Sequence, residues 1–411
     1  MVTAEGYRSL TTQLFPRADP HLTDDTVFAV KEDLILDFTP SDDPKASLDL
    51  KYDFTLTPLS PGNSQSQRNE SQMGNKVRVG AIQAEPVWLD LQGGVRKVTS
   101  LIEQAAKDGI NVLGFPEVFI PGYPWSIFTE PTITNTEFIA EYQANSLGRE
   151  SVEMDKIRSS VKKAGIFVVL GYSERAGGSL YIAQSFIDPS GTIVLHRRKI
   201  KPTYTERAVW GEGQADSLTN VIQTPHFGRI GALNCWEHFL PLLRYNEYCQ
   251  GVDIHVASWP LFWDRSKDLP GSYNSQASAN RLTGQFMAME GTCFVLIATQ
   301  LLTEGNRERT KLSDVPFVKT PGGGFAMIFG PDGKPLVPAF DPGHEGILAA
   351  DIDLGAIDYA KQVLDVVGHY SRPDLLSLNV NREPAKHVHY ISASESRLIH
   401  SVDESHKVTT E

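Results

Sequence analysis

Three side chains with catalytic potential each follow an apolar, strand-like segment of the chain. They are Glu117 after residues 110–115, Lys199 after residues 193–198 and Cys235 after residues 230–234. α/β folds collect their functional groups where the strands end, so side chains that are distant in sequence meet at one edge of the sheet. A thiol nucleophile, a carboxylate base and an ammonium that stabilises developing negative charge together suit covalent catalysis on an electrophilic carbon.

Each of these residues also has an ordinary interpretation. A cysteine after an apolar strand is more often a small buried hydrophobic residue than a nucleophile. A glutamate after a turn, or a lysine in a basic run, usually contacts solvent. The residues after Cys235, which are Trp236, Glu237, His238 and then an amphipathic stretch, predict a strand-to-helix turn. Amide groups at such a turn can lower a thiol pKa and later hold an oxyanion, which favours the nucleophile interpretation.

Composition and charge exclude several functional classes. Of the 411 residues, 41% are hydrophobic and 21% are charged, as in ordinary globular proteins. The net charge of −12 repels phosphate backbones and anionic membranes, and the one dense basic run, residues 197–201, is short. We therefore predict neither a nucleic-acid nor a membrane partner. The three cysteines and the lack of a signal-peptide or membrane-spanning segment predict a cytoplasmic protein without disulfides.

The chain changes character near residue 75. Residues 59–75 are polar and rich in turn formers, which predicts a linker. The preceding segment, residues 1–58, contains two alternating, strand-like stretches at 26–38 and 48–56. We predict a partial β-rich extension at 1–58, a catalytic domain at 76–380 and a polar tail at 381–411.

The catalytic segment alternates between strand and helix patterns, which predicts an α/β fold with helices covering the sheet. Helices are expected at 90–108 and 152–164. Strands are expected at 77–84, 110–115, 166–172, 180–187, 193–198, 230–234, 254–258, 294–298, 324–329 and 346–351.

The candidate residues lie in longer motifs that resemble the nitrilase family of the carbon–nitrogen hydrolase superfamily. In chain order the motifs are VGAIQAEPVW at 79–88, FPEVFIPGYP at 115–124, RRKIKPT at 197–203, NCWEH at 234–238, HVASWP at 255–260 and GHYSRPD at 368–374. Several long motifs in the family's order are far more specific than any one of them. The similarity spans about residues 77–380.

This resemblance implies a four-layer αββα sandwich and a Glu-Lys-Cys triad formed by Glu117, Lys199 and Cys235, supported by Glu206. It also implies catalysis without a metal or organic cofactor, a small-molecule nitrile substrate, and a homo-oligomer in which dimers extend into a spiral. Trp236 resembles the nitrilase branch, since amidase branches more often carry tyrosine there.

Aromatic residues near these motifs are candidates for contact with the substrate. We predict this role for Tyr123, Trp210, Trp236 and Trp259. Trp210 departs from relatives that often have a tyrosine or phenylalanine, which affects the expected shape of the pocket. The loops at 125–138 and 261–273 are expected to line the pocket, and they vary on a shared scaffold.

The amino-terminal segment resembles a different family. The sequences GYRSLTT at 6–12, TVFAVK at 26–31 and YDF at 52–54 resemble the carboxyl-terminal end of intradiol ring-cleavage dioxygenases. In that family the iron ligands precede the matching stretch. We therefore interpret residues 1–72 as a fragment without iron chemistry, with Met73 as the expected native start.

Rival interpretations of the chain remain open from the sequence. Release of an amide by a cyanide hydratase-like route, an amidase of the same superfamily and a catalytically silent scaffold are the alternatives to nitrile hydrolysis. The filled triad positions argue against the scaffold. Gly322, Gly323 and Gly324 lack a phosphate-binding lysine, and His387 and His389 lie in a polar tail without a nearby ligand cluster.

Overall fold

The computed structural model describes residues 76–130, 134–269 and 271–385 together with four two-residue strands nearer the amino terminus. Two compact units are formed, Met1–Asn75 with Tyr370–Leu378 and Lys76–His369 with Asn379–Glu411. In the first unit, Phe15–Pro16 pairs with Ile35–Leu36 and Thr39–Pro40 pairs with Leu48–Asp49. Most of the strands predicted at 26–38 and 48–56, and most of the predicted tail, lie outside the described residues.

The second unit contains eleven strands among its described residues. They are β1 Lys76–Ala84, β2 Val112–Gly114, β3 Phe167–Ala176, β4 Ser179–Ile187, β5 Ile193–Arg198, β6 Val221–Gln223, β7 Arg229–Asn234, β8 Ile254–Trp259, β9 Phe294–Gln300, β10 Met327–Phe329 and β11 Gly346–Asp353. The helices are α1 Leu91–Lys107, α2 Thr136–Ala144, α3 Val152–Ala164, α4 Pro241–Cys249, α5 Ala277–Gly291 and α6 Gly355–Lys361.

The strands form one long sheet in the order β6-β7-β8-β9-β1-β2-β3-β4-β5, with β10 beside β9 and β11 beside β1. Its centre, from β7 to β3, is parallel. The two halves join where β9 pairs with β1 through only two residue pairs, Thr299 with Gln83 and Gln300 with Ala84. This short junction lets one half fold over the other.

Three buried clusters define four layers. The first cluster packs α1 and α3 against β1, β2 and β3. The second lies between the two halves of the sheet, and the third packs α4 and α5 against β7, β8 and β9. The order is therefore helix, sheet, sheet, helix, and the predicted αββα sandwich is confirmed.

Local sequence signals explain the elements that build these layers. Along β1, Val77, Val79 and Ala81 face the middle cluster whereas Ile82 and Ala84 face the helices, as the two-residue period of a strand requires. The helix α3 begins at a serine cap whose hydroxyl accepts a hydrogen bond from the Met154 amide, and it ends at a glycine with φ of +67°.

Most predicted elements of the second unit agree with the structure. The helix at 152–164 and the strand at 193–198 have the predicted bounds, and other strands differ by a few residues. The strand predicted at 324–329 begins only at Met327. Gly324 packs directly against β1, because a β-carbon there would lie 2.4 Å from the Gln83 side chain, so its backbone serves close packing. Among the described residues, no helix has the length and apolar character needed to cross a bilayer.

Candidate active site

Three strand ends bring the predicted triad together. Lys199 directly follows β5, Cys235 directly follows β7, and Glu117 lies three residues beyond β2. The Lys199 Nζ is 2.9 Å from Glu117 Oε1 and 2.9 Å from Glu206 Oε2. The Cys235 sulfur and carboxylate oxygens of Glu117 and Glu206 all lie within 4.8 Å of one another. The four residues predicted as catalytic therefore form one cluster, in which each is at most 3% exposed.

The Lys199 ammonium dominates the electrostatics of this cluster. Burial alone lowers the pKa of Lys199, but the carboxylates of Glu117 and Glu206 raise it well above its usual value. The lysine is therefore charged at neutral pH. Its positive charge lies between the two carboxylates, 2.9 Å from an oxygen of each.

Glu117 is arranged to accept a proton. Burial raises its pKa to about 8, against the lowering effect of Lys199. One carboxylate oxygen bonds Lys199, whereas the other, Oε2, has no hydrogen-bond partner among the described residues. The Glu117 carbonyl accepts a hydrogen bond from the Gln300 side chain at 2.5 Å, which fixes the backbone of the base. A carboxylate with a raised pKa and a free oxygen is a competent general base.

Cys235 occupies a strained turn. It begins the short 3₁₀ helix Cys235–Phe239 directly after β7, and its φ is +45°. A left-handed conformation is unfavourable for a non-glycine residue and presents the side chain at a sharp strand-to-helix turn. The predicted turn is therefore present.

The predicted lowering of the thiol pKa by an amide of this turn is present but outweighed. Burial and then the Glu117 carboxylate raise the pKa of Cys235 well above its usual value, and these effects exceed the lowering by Lys199 and the Trp236 amide. The thiol is consequently protonated in the resting site. It needs the neighbouring base at the moment of attack, because the turn alone does not ionise it.

Glu206 is held from two sides. Its Oε2 accepts the Thr203 backbone amide at 2.5 Å, in a capping box at the start of the 3₁₀ helix Tyr204–Ala208. Its Oε1 accepts the Tyr123 hydroxyl at 2.6 Å. Tyr123, predicted to contact the substrate, therefore lines the site and also orients the second carboxylate.

A buried ion pair behind the site joins the strand ends that carry Lys199 and Cys235. Arg197 donates to both oxygens of Glu237, at 2.8 and 2.7 Å. The same carboxylate accepts the backbone amides of Ile200 at 2.8 Å and Asn234 at 2.9 Å, the residues next to the lysine and the cysteine. Glu237 thus fixes the distance between the ammonium and the sulfur. In the sequence, Arg197 belonged only to a short basic run. Its position two residues before Lys199, which puts both side chains on the same side of an extended chain, is the signal that could have identified its role.

An apolar cavity of about 560 Å³ reaches the sulfur. Aromatic and aliphatic side chains form most of its wall, and the polar lining residues include Thr129, Thr203, Ser272, Asn274 and Ser275. The lining residues include Tyr123, Trp125, Phe128, Glu206, Cys235, Trp236, Phe262, Trp263, Arg265, Leu312, Val315, Phe317 and Val318. The predicted loops at 125–138 and 261–273 both contribute, whereas the contribution of the segment 312–318 was not predicted.

Two of the predicted substrate contacts do not line this cavity. Trp210 stacks behind Tyr123 at 6.1 Å and donates its indole N–H to Ser173. Trp259 is fully buried and stacks on His238 at 5.0 Å, behind the nucleophile. Aromatic type and nearness to a motif identified both residues, but Trp259 points from β8 into the core and Trp210 packs in a buried cluster with Tyr142. Tyr123 and Trp236, by contrast, do line the cavity.

Comparison with known families gives two matches along the chain. Residues 78–362 match the family described as carbon-nitrogen hydrolase. Residues 1–58 match a separate family described as dioxygenase. The boundary between the two matches falls within the segment that the sequence predicts as linker and domain start.

Two relatives are similar over about three quarters of this chain. A nitrilase of Talaromyces marneffei is 61% identical over 77% of this chain and 98% of its own length. A nitrilase of Penicillium rubens is 56% identical over 78% of this chain and 98% of its own length. The C. elegans NitFhit protein has a similar fold, with a TM-score of 0.57 at 19% identity over 76% of this chain and 69% of its own.

Proposed function

The chain belongs to the carbon–nitrogen hydrolase family, and we propose that it hydrolyses an organic nitrile to the carboxylic acid and ammonia through a covalent bond to Cys235. The observation that carries this proposal is the convergence of the Cys235 sulfur, the Glu117 carboxylate and the Lys199 ammonium at the end of an apolar cavity. A nitrile carbon is an electrophile without a good leaving group, so it needs a soft nucleophile and a cation near its nitrogen.

The first half of the reaction forms a thioimidate. Glu117 takes the thiol proton, the Cys235 sulfur bonds to the nitrile carbon, and one carbon–nitrogen π bond passes its electrons to nitrogen. Lys199 stabilises the negative charge at that nitrogen, which then takes a proton from Glu117. Because Lys199 is hydrogen-bonded to Glu117, the charge stabiliser and the proton carrier act at the same atom.

The second half consumes two water molecules. The first adds to the thioimidate carbon to give a tetrahedral species, which loses ammonia and leaves a thioester on Cys235. The second hydrolyses the thioester to the acid and restores the thiol. If the carbon–sulfur bond of the tetrahedral species breaks before the carbon–nitrogen bond, an amide is released instead, as in the cyanide hydratase-like alternative.

A product assay tests this proposal. Full-length protein is incubated with phenylacetonitrile, a simple alkyl nitrile and cyanide, and acid, amide and ammonia are measured together. We expect acid and ammonia in equal amounts from at least one nitrile. Amide without ammonia would support the hydrating alternative, turnover only of the matching amide would support an amidase, and no turnover would contradict an enzymatic role.

The pH dependence of activity should follow Glu117. This base must be ionised to accept the thiol proton, and burial raises its pKa to about 8. We expect kcat/KM to rise about tenfold per pH unit up to roughly pH 8 and then to level off. A rate profile from pH 5.5 to 9.5 measures this limb. A profile already flat from pH 6 would contradict a base with this raised pKa.

Protonation of Glu117 should affect stability in the direction opposite to its effect on activity. The folded-state pKa of Glu117 lies above its usual value of 4.5, so the folded state binds the proton more tightly. This contribution to the free energy of unfolding is complete below about pH 4.5 and is lost as the pH rises to about 8. Activity and the Glu117 contribution to stability therefore change in opposite directions.

The aromatic wall of the cavity should select nitriles with an aryl group. Trp125 lies edge-on to Tyr123 and Phe262 at 5.6 and 5.5 Å, so one face of the cavity is built from packed rings. We expect Trp125→Ala to raise KM for phenylacetonitrile about threefold to tenfold, the loss of one aromatic contact, and to affect propionitrile less. Trp210→Phe is the control, since Trp210 does not line the cavity. Equal effects of both variants on the two nitriles would contradict this assignment.

The predicted homo-oligomer has support on the outer helical layer. Leu282, Phe286 and Met289 lie at i, i+4 and i+7 on α5 and are 52, 46 and 38% exposed, and Leu242 on α4 is 67% exposed. A patch of this kind is typical of an interface. We expect sedimentation velocity to give a dimer or larger species, and Leu282→Glu with Phe286→Glu to shift it towards the monomer. A monomer in the wild type would contradict self-association.

A further inference from the structure

A chain of buried hydrogen bonds leads from the backbone of Cys235 through two histidines to Glu247. His238 Nδ1 lies 2.6 Å from the Cys235 carbonyl oxygen, and His238 Nε2 lies 2.9 Å from His255 Nε2. His255 Nδ1 lies 2.5 Å from Glu247 Oε1. The other oxygen of Glu247 accepts the side-chain amide of Asn220 at 2.5 Å. Neither histidine nor Glu247 is exposed.

The number of protons in this chain follows from donor and acceptor rules. A carbonyl oxygen only accepts, so His238 Nδ1 carries a proton. One proton fits between the two Nε2 atoms, and one more between His255 Nδ1 and Glu247. Three protons are therefore needed, whereas two neutral imidazoles and a carboxylate supply only two.

We propose that His255 is an imidazolium paired with the Glu247 carboxylate, and that this buried pair holds neutral His238 as a positioning residue for the Cys235 backbone. The inference rests on Cys235 being the nucleophile of the proposed function. His255 donates through Nε2 to His238, which leaves His238 Nδ1–H as the donor to the Cys235 carbonyl. Asn220 donates to the second oxygen of Glu247, as expected for an ionised carboxylate.

The surroundings of His238 agree with a neutral, fixed ring. Burial, and then the adjacent His255, lower the pKa of His238 well below its usual value. The ring stacks on Trp259 with an interplanar angle of 21°, and the His238 carbonyl accepts Arg244 at 2.7 Å. Cys235 has a φ of +45°, a conformation that persists only where the surrounding contacts fix it. The hydrogen bond from His238 is one such contact on the nucleophile itself.

Histidine NMR on the full-length wild-type protein tests the proton count directly. Protein labelled with ¹⁵N at its histidines gives long-range proton–nitrogen spectra, in which His255→Gln identifies the signals of that ring. We expect both nitrogens of His255 to carry protons and His238 to carry one only, on Nδ1. A bare nitrogen on His255 would overturn the proposal. This measurement does not depend on nitrile turnover, so it decides the proton count even if the proposed function fails.

Variants of Glu247 test the positioning role. Glu247→Gln can donate to a neutral His255 through its amide and still accept from Asn220, so kcat should stay within about threefold of the wild type. Glu247→Met removes the partner of a buried cation, so kcat should fall at least tenfold while KM changes less than threefold. Glu174→Met is the control, because it breaks another histidine–glutamate pair, at 3.2 Å from the partly exposed His196, together with the ion pair between Glu174 and Arg198, and it should leave kcat within about threefold.

The difference in kcat between the two Glu247 variants decides whether the positioning role holds. Equal kcat in Glu247→Gln and Glu247→Met, both folded by circular dichroism, would overturn the positioning role. If Glu247→Met does not fold, the Gln variant still decides, because its histidine spectrum should lose one nitrogen-bound proton at His255 while its activity is retained. Retention of the third proton in that variant would overturn the pairing with Glu247.

Discussion

Cys235→Ala is expected to lower nitrile turnover by at least about 10⁴-fold, the largest loss among single substitutions of this chain. Without the sulfur, water itself must attack the nitrile carbon, and neither the thioimidate nor the thioester forms. Glu117 and Lys199 remain in place, so the binding of the nitrile in the apolar cavity is retained. Initial rates of ammonia release measure the loss of turnover. Intact-protein mass spectrometry measures the loss of the covalent acyl adduct.

Another cysteine provides the control for this result. Cys249 is exposed and is a free thiol. Cys249→Ala should keep full activity. Cys235→Ala should change the free energy of unfolding by no more than about 1–2 kcal/mol, because it deletes a single small atom. A folded Cys235→Ala protein that retained one hundredth of the wild-type rate would end the proposal of covalent catalysis.

The sequence predicted the parts of this site that depend on strand ends. Glu117, Lys199 and Cys235 each follow an apolar run, and the spacing of apolar residues, with a period of two in strands and about 3.6 in helices, is the strongest sequence signal for these elements. The family resemblance then implied Glu206, which has no strand of its own. These are one-dimensional signals, and the structure places all four side chains in one cluster.

Other features of the site depend on contacts between distant segments of the chain, which a local sequence pattern does not reveal. Trp210 and Trp259 have the residue type of substrate contacts but face the core, whereas Phe317 lies in a polar loop and reaches the cavity. The raised pKa of the Cys235 thiol also escaped the sequence argument. A turn suggests amides that lower the pKa, but the burial and the facing carboxylate that raise it come from other segments of the chain.

Lys199→Met is expected to damage stability and catalysis together. The substitution leaves Glu117 and Glu206 buried without the ammonium that lies 2.9 Å from each. Removing one partner of a buried ion pair costs about 3–5 kcal/mol of unfolding free energy. Loss of the charge that stabilises the nitrile nitrogen should lower kcat a further 10²–10³-fold, roughly the effect of removing one oxyanion donor. Urea unfolding and ammonia release measure the two effects.

A second substitution separates these effects. In Lys199→Met with Glu206→Gln, the new amide accepts from the Thr203 backbone and donates to the Tyr123 hydroxyl, the groups that bond Glu206 in the wild type. Glu117, whose pKa is already about 8 beside the ammonium, is neutral at pH 7 once the ammonium is gone. The double variant therefore buries no charge here and should recover most of the lost stability.

Activity should not return in that double variant, because no cation faces the nitrile nitrogen. The single variant should also unfold more easily as the pH rises, since its Glu117 has a folded-state pKa above the unfolded one and loses its favourable proton at high pH. If the double variant regains both stability and turnover, Lys199 serves only to neutralise two buried carboxylates. If it regains stability alone, the ammonium acts on the substrate, and the structural and chemical roles of Lys199 are distinguished within one pair of proteins.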